Sequence, residues 1–390
     1  MSNILLILTL SVILAVTPFL AKTVRLPVTV IEMVLGFVAA VTGLIPENEY
    51  FTIIAEVGFL YLMFLAGLEI NIRELFKLKA SILQHGMVYL FLLYMFSVLA
   101  HFYWQLSPIF ILIFPLISIG VVVTLLKDFP KDAPWLKLSL RIGVLGELVS
   151  IVGLTLASGV MSYGLSIQFT TVMISLALFL AAIIGVFYVS KILFWWFPEL
   201  KTAIMPHSDN KEQDIRLSFS LFFIMVSLML LLGLELALGA FIAGMFISSF
   251  FEHKKELPEK LGSFGFGFLV PIFFIHIGST IEVDAFVMPG LLSKVALIVF
   301  VMFFIRVLSS LAFYGFLGLK GTVQFAVSQM MPLTLMIAVA TLGYHAKSID
   351  SLHYYAFVIA SLIEVVLGLV FLKLASLMPE PKKMPAGINS

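Results

Sequence analysis

The sequence predicts an all-α polytopic membrane protein of about thirteen transmembrane helices, arranged as an inverted repeat of six-helix units with two discontinuous helices that cross. Three observations carry this. Hydrophobic residues make up 62% of the 390 and charged residues 12%, against about 25% charged in a soluble domain, and the mean hydropathy is +1.15. Apolar stretches of bilayer-crossing length, about 17 to 25 residues each, recur from end to end between short clusters of Lys, Arg, Asp, Glu, Pro and Gly. Basic residues gather in every second loop, as they do when each stretch crosses.

The first stretch, ILLILTLSVILAVTPFLA (4–21), has the length of a signal peptide but no basic region before it, so it reads as a retained helix. With charged clusters, Pro and Gly as boundaries, the spans fall at 3–21, 27–45, 52–71, 82–104, 108–126, 136–163, 168–194, 214–233, 235–251, 261–278, 288–317, 321–344 and 352–377. Lys22 and Arg25, then Arg73, Lys77 and Lys79, then Lys127, Lys131 and Lys137, then Lys201, Lys211 and Arg216, then Lys254, Lys255 and Lys260, then Lys320, and lastly Lys382 and Lys383 share one side. The other side carries PENEY (46–50), Glu282 and Asp284, with Lys294 and Lys347 as its basic residues. The positive-inside rule then puts the N-terminus outside and the C-terminus in the cytoplasm, in a bacterial-type inner membrane.

A connection at about 195–213 separates two sets of six spans, with the seventh as a linker, so equivalent helices run in opposite directions. GFLYLMFLAGLEI (58–70) matches GFLVPIFFIHIGSTI (267–281), PLISIGVVV (115–123) matches PLTLMIAVA (332–340), and GELVSIVGL (146–154) matches IEVVLGLVF (363–371). Pro115 and Pro332 each remove a backbone donor inside an apolar span. Hydrocarbon tolerates broken backbone only where protein or a water-filled cavity satisfies it, so the breaks are expected to cross near the midplane and present half-helix ends to an ion.

Few ionisable residues lie deep in the spans: Glu32, Glu56, Glu147, Glu235, His276, Arg306 and Glu364. A charge there costs roughly 2 to 4 kcal/mol or more, so each calls for a role. Arg306 keeps its proton and needs a carboxylate or backbone carbonyls, with Glu147 and Glu364 as the natural candidates. In the functional reading, burial and a nearby cation act on Glu147 in opposite senses and leave a carboxylate that either a proton or a cation occupies. In the structural reading, Glu147 or Glu364 pairs with Arg306 and fixes helix register. Glu364 stands between a second titrating site and a partner for Arg306. Glu32, Glu56 and Glu235 read as capping or packing groups, and His276 as a hydrogen-bonded interface histidine. The absence of cysteine excludes disulfides and thiolate metal sites. The net charge of +1 gives no reason to expect nucleic acid. GSFGFGF (262–268) has the wrong spacing for a dinucleotide fingerprint and reads as helix packing, so no cofactor is expected.

Several segments resemble the Kef-type branch of the monovalent cation:proton antiporter superfamily over nearly the whole chain. These are LPVTVIEMVLGFVAAVTGLIP (26–46), AEVGFLYLMFLAGLEI (55–70), LALGAFIAGMFISS (236–249) and PIFFIHIG (271–278). The resemblance implies a non-enzymatic secondary antiporter that exchanges Na+ or K+ for H+, with no metal beyond the transported cation and no catalytic residue. The family's ion-binding pair, a polar residue followed by Asp, falls on Gly146 and Glu147, and its Ser-Thr pair in the first broken helix falls on Ser118 and Ile119. A single carboxylate at that pair implies electroneutral exchange. Glu147 and Ser118 would bind the ion or proton, Arg306 and Glu364 would tune it, and Pro115, Gly120, Pro332 and Thr334 would shape the broken helices. SQMMPLTL (328–335) lacks the carboxylate often found there in this branch.

The family fold implies a dimerisation domain at 1–78 and 213–285, a mobile core at 79–165 and 286–378, a linker at 166–212 and a cytoplasmic tail at 379–390, acting as a homodimer. Relatives often carry a cytoplasmic nucleotide-binding domain, so here such control is expected from a separate regulatory subunit. The alternative of another class, motivated by Gly146, is a non-transporting sensor or channel-like protein on the same fold. An organic-anion symporter fits less well, because few Lys or Arg residues lie in the spans.

Overall fold

The computed structural model describes residues 2–377 apart from 25, 27, 47, 69–79, 131, 165, 198, 200–211, 235, 252–253, 255, 282 and 285–287. It runs α1 (Ser2–Val24), α2 (Val28–Val41), α3 (Glu49–Leu68), α4 (Ala80–Trp104), α5 (Ile109–Ile113), α6 (Ile119–Asp128), α7 (Pro134–Tyr163) and α8 (Ile167–Trp196). After these come α9 (Gln213–Leu232), α10 (Leu236–Phe250), α11 (Leu257–Phe264), a π-helical turn (Gly265–Leu269) and α12 (Val270–Ser279). The last helices are α13 (Leu291–Ser310), α14 (Tyr314–Ser328), α15 (Leu333–His345) and α16 (Ser351–Leu377), with a 3-10 turn (Leu311–Phe313) between the first two. Among the described residues there is no strand.

Local chemistry sets several ends. Asn48 Oδ1 accepts from the backbone N–H of Tyr50 (2.9 Å) and Phe51 (3.2 Å), capping α3. Gly233, at φ 64°, closes α9 in the left-handed conformation that glycine enters without strain. Nine of the described helical stretches are long and apolar enough to span a membrane, and α2 and α10 are shorter apolar helices. Ile174, Leu178, Ile184 and Val189 of α8 are all exposed, a surface compatible with lipid and costly in water. The chain is therefore a multi-pass membrane protein.

The two interruptions and the kink between the eleventh and twelfth spans fall where the sequence expects them. The expected span 108–126 is two short helices, α5 and α6, separated at 114–118. The expected span 321–344 is likewise divided at 329–332, between α14 and α15. The apolar stretch Leu291–Ser328 is long enough to read as one 38-residue span, although Gly318 (φ 64°) kinks it where the sequence places a loop.

The chain folds as two compact units, Met1–Lys77 with Ser158–Phe286, and Leu78–Ala157 with Val287–Ser390. In the first, α2 packs on α12 and α3 on α10. A Cβ on Gly36 would lie 2.1 Å from the Ile275 carbonyl oxygen, and one on Gly278 would lie 2.0 Å from that of Met33. The second crossing repeats this: Gly67 meets the Phe241 carbonyl at 2.1 Å and Gly244 that of Phe64 at 2.1 Å. Each glycine sits three residues after the carbonyl its partner approaches. The repeat equates α2 with α10 and α3 with α12, so a pseudo-two-fold axis exchanges these crossings, as a duplicated six-helix unit requires.

In the second unit α13 packs on α16, α14 and α4, and α15 packs on α16. Both interrupted helices belong to this unit.

Candidate ion-binding site

The first interruption begins where Pro115 lacks an N–H and the chain leaves α5. Ser118 is extended (φ −130°, ψ 130°) and stands at the N-cap of α6. Two side chains of α7 engage this segment. Ser150 Oγ accepts from the Ile117 N–H at 3.0 Å. Glu147 Oε2 accepts from the Ile119 N–H at 3.3 Å, and Oε1 accepts from the Ser118 hydroxyl at 3.4 Å. A Cβ on Gly146 would lie 2.4 Å from Ile117 Cδ1 and 2.9 Å from its Cβ. Gly146 thus lets the break sit directly on α7, and the space a polar side chain would need is filled by Ile117.

Glu147 is completely buried. Its carboxylate faces the N-terminus of α6, whose free N–H groups and dipole favour negative charge. Its contacts lie at the long end of the hydrogen-bond range, which leaves the oxygens able to accept a further positively charged partner.

Arg306, also completely buried, holds the opposite end. Its Nη1 donates to the Phe114 carbonyl at 2.7 Å, its Nη2 to the Leu116 carbonyl, and its Nε to the Gln329 carbonyl at 2.9 Å. Nη1 also reaches the Met302 carbonyl of its own helix at 3.3 Å. One guanidinium therefore joins both interruptions, 114–118 and 329–332. Of the partner types the sequence allows, Arg306 takes backbone carbonyls. Among the described residues no carboxylate lies within ion-pair distance of it, so neither Glu147 nor Glu364 is its contact partner.

The charge logic of the first interruption is complementary. Carbonyls at the C-terminal end of α5 meet a permanent cation, and N–H groups at the start of α6 meet a carboxylate.

The second interruption is tied to α7 as well. Gln329 Nε2 donates to the Ser139 carbonyl at 2.9 Å, and Ser139 and Ser328 hydroxyls lie 2.6 Å apart. Gly143, one turn before Glu147, has Gln329 Nε2 and Oε1 each 3.6 Å from its Cβ position. Gln329 Oε1 is buried and accepts no hydrogen bond. Sequence reasoning passed over Ser139, Ser150 and Gln329. The signal available was weak: an amide three residues before Pro332, in an apolar run that also holds Gln324, and two serines on the face of α7 that carries Glu147.

Pro115 and Pro332 lie buried inside the two interruptions, and Gly120 is in the first turn of α6. The side chain of Thr334 and all of Glu235 lie outside the described residues. Glu364, on α16, is completely buried, and neither carboxyl oxygen has a hydrogen-bond partner. Away from this site, Glu32 is buried on α2 and Glu56 is exposed on α3. His276 Nε2 lies 3.2 Å from the Thr52 hydroxyl, and its ring packs edge-on against Phe51.

The sequence profile of the transmembrane sodium/hydrogen exchanger family matches residues 8–374. The chain belongs to the sodium/hydrogen exchanger family. It is thus a member of a family of secondary transporters and not of enzymes. It is 28% identical over 291 residues to a putative Na+/H+ antiporter, YjbQ, of Bacillus subtilis, covering 68% of this chain and 46% of that one. It is 28% identical over 262 residues to the Na+/H+-K+ antiporter GerN of Bacillus cereus, covering 65% of each. It is 24% identical over 249 residues to the glutathione-regulated potassium-efflux protein KefC of Klebsiella pneumoniae, covering 61% of this chain and 38% of that one. The aligned part thus spans less than half of YjbQ and of KefC. The structure of the sodium proton antiporter MjNhaP1 from Methanocaldococcus jannaschii at pH 8 shares the fold, with a TM-score of 0.70 over 97% of this chain and 99% of that one at 15% identity. The exchanger fold in this chain carries Gly146-Glu147 and Arg306 within one compact unit.

Proposed function

We propose that this protein is a secondary antiporter that exchanges Na+ or K+ for H+ by alternating access, one cation for one proton and hence electroneutrally. The observation that carries this reading is Glu147, a completely buried carboxylate at the N-terminus of a half-helix, held by two long hydrogen bonds. A proton satisfies its charge in one state and a dehydrated cation in the other, and competition for one carboxylate couples the two fluxes. The Ser118 hydroxyl and the amide oxygen of Gln329 are the neutral oxygens we assign beside it. Both suit a hard monovalent cation.

In this reading residues 1–78 and 213–285 form a dimerisation domain in a homodimer, and 79–165 and 286–378 form the moving core. The N-terminus lies outside a bacterial-type inner membrane, the C-terminus lies in the cytoplasm, and a separate cytoplasmic subunit supplies any nucleotide control. Membership of the exchanger family and the names of the relatives support the exchange. The packing of Ile117 against Gly146 gives a steric reason for the missing polar residue, which weakens the motive for a non-transporting scaffold.

The test is dye-reported proton movement in sealed proteoliposomes with a preset pH gradient, on addition of Na+, K+ or Li+. Collapse of the gradient by a cation in the wild type, and its absence in Glu147→Gln, is the expected result. Folded wild-type protein that responds to no cation overturns the reading.

A further inference from the structure

Among the described residues of the second unit, the buried side-chain oxygens without a hydrogen-bond partner include those of Tyr89, Ser309, Thr322 and Glu364. They gather around the helix of Arg306. Ser309 lies on the Arg306 face of α13, three residues on. The Tyr89 ring packs against Phe313 and Phe325 at 5.9 and 5.2 Å. Phe313 is one turn beyond Ser309, and Phe325 one turn beyond Thr322.

Glu364 shares a face of α16 with Gly368. A Cβ on Gly368 would lie 2.9 Å from Met331 Sδ and 3.6 Å from Val327 Cγ1, so this face lies against the second interruption, whose Gln329 carbonyl Arg306 holds. Among the described titratable groups, Arg306 is the one that acts on Glu364 electrostatically, and Tyr89 is the other group facing Arg306.

We propose that Glu364 is a second proton-binding site, and that loss of its proton draws the Arg306 guanidinium off the carbonyls of both interruptions and opens those oxygens to a cation at Glu147. This rests on the exchange reading given above and adds to it. A completely buried carboxyl with no donor and no cation in contact is far less costly neutral than charged, so the arrangement seen here is its protonated state. In that state Arg306 is committed to Phe114, Leu116 and Gln329. When the Glu364 proton passes to water, the nearby permanent cation is the partner that stabilises the carboxylate. The guanidinium turns to it, and the Phe114 and Leu116 carbonyls become available two to five residues before Ser118 and Ile119. Because the charge of Glu364 is then balanced by Arg306, it has no place for a transported cation. Glu364 gates the site, and Glu147 carries the ion.

Infrared spectra of the full chain in liposomes, in choline buffer from about pH 5 to about pH 9, test the proton site without any transported cation. The expected result is a protonated-carboxyl C=O band that fades as pH rises. It persists in Glu147→Gln, shifts in Glu364→Asp and is missing in Glu364→Gln. No band distinguishing these variants overturns the proposal, and Glu364→Asp decides it if Glu364→Gln does not fold.

The coupling is read from the slope of log KM for the cation against pH in proteoliposomes. Two protons compete with cation binding in the wild type and one in Glu364→Gln, so the limiting slope falls from about two to about one, at a raised KM because a neutral side chain leaves Arg306 on the carbonyls; the one-for-one count given above then describes the Glu147 site alone. An unchanged slope overturns the gate, since a purely structural Glu364 would alter yield or melting temperature and leave the slope intact. Wild-type protein that moves no cation but shows the titrating band defeats the exchange reading and leaves the Glu364 proton site standing.

Discussion

The two units bury their backbone by opposite means. In the first, α2 with α12 and α3 with α10 cross so closely that glycines sit against carbonyl oxygens; the helices are unbroken at these crossings and the contacts are van der Waals. In the second, two helices are broken, and the exposed peptide groups are satisfied by Arg306, Glu147, Ser150 and each other. Close apolar packing makes a crossing that changes little with pH or ions. A seam held by one guanidinium and one carboxylate has alternatives for every bond, which an ion-moving element needs. The difference supports the proposal that the second unit is the moving core.

Removing Arg306 tests that contrast most severely. Arg306→Met strips the hydrogen bonds from the Phe114, Leu116 and Gln329 carbonyls, at about 1–3 kcal/mol for each buried group left unmade. The expected outcome is loss of most folded protein in a heating series read by fluorescence size exclusion. Arg306→Lys recovers only part of it, because an ammonium lacks the planar fork that reaches both interruptions. Next in size is the glycine crossing. Gly67→Ala should cost about 1–3 kcal/mol through overpacking, because its Cβ meets backbone rather than a flexible side chain. Gly185→Ala, with open space around it, should be neutral within about 0.5 kcal/mol. Gly67→Ala with Gly244→Ala should cost less than the sum, since either alone pries the same two helices apart; full additivity would show that the two contacts are independent.

A milder change separates the seam from the fold. Ser150→Ala leaves the Ile117 N–H without its acceptor, at about 1–3 kcal/mol. Because Ile117 adjoins the residues that cap Glu147, transport should fall more than the melting temperature suggests. Parallel initial-rate and melting measurements check this, and equal proportional losses would reduce Ser150 to a packing residue.

These contrasts also mark what was legible in the sequence. Pro115 and Pro332 announce the interruptions because proline removes a donor, and Glu147 announces itself because a carboxylate in an apolar run is costly. The partners of Arg306 are not legible. Carbonyl groups are present at every residue, and only the fold shows which ones a break has freed. Gly146 misleads for a related reason: the alphabet shows a missing polar group, whereas the structure shows Ile117 occupying its place. The kink at Gly318 is legible too, because Gly318 and Lys320 mark a boundary between spans 288–317 and 321–344 even though the apolar run from 291 to 328 continues across it. The glycines at 36, 67, 244 and 278 are visible, but which pairs with which depends on the pseudo-two-fold axis, a property of the assembled helices.

The smallest effect lies at the membrane edge of the second unit, where Asp350 caps α16. Burial pushes its carboxyl upward, but the His353 N–H at 2.9 Å, the His353 ring nitrogen at 2.6 Å and the more distant Lys294 outweigh it and hold Asp350 below the usual aspartate range. A group lowered on folding adds stability that is complete above its unfolded value, about 3.9, and is lost as pH falls through the lower folded value. Asp350 is largely exposed, so solvent screening keeps the contribution small. Asp350→Asn should therefore lower the melting temperature slightly at neutral pH and narrow that gap below about pH 4. A gap that stays constant on acidification would assign the effect to the lost cap geometry instead of the charge. A gap that widens would mean that the carboxyl is not held low by His353.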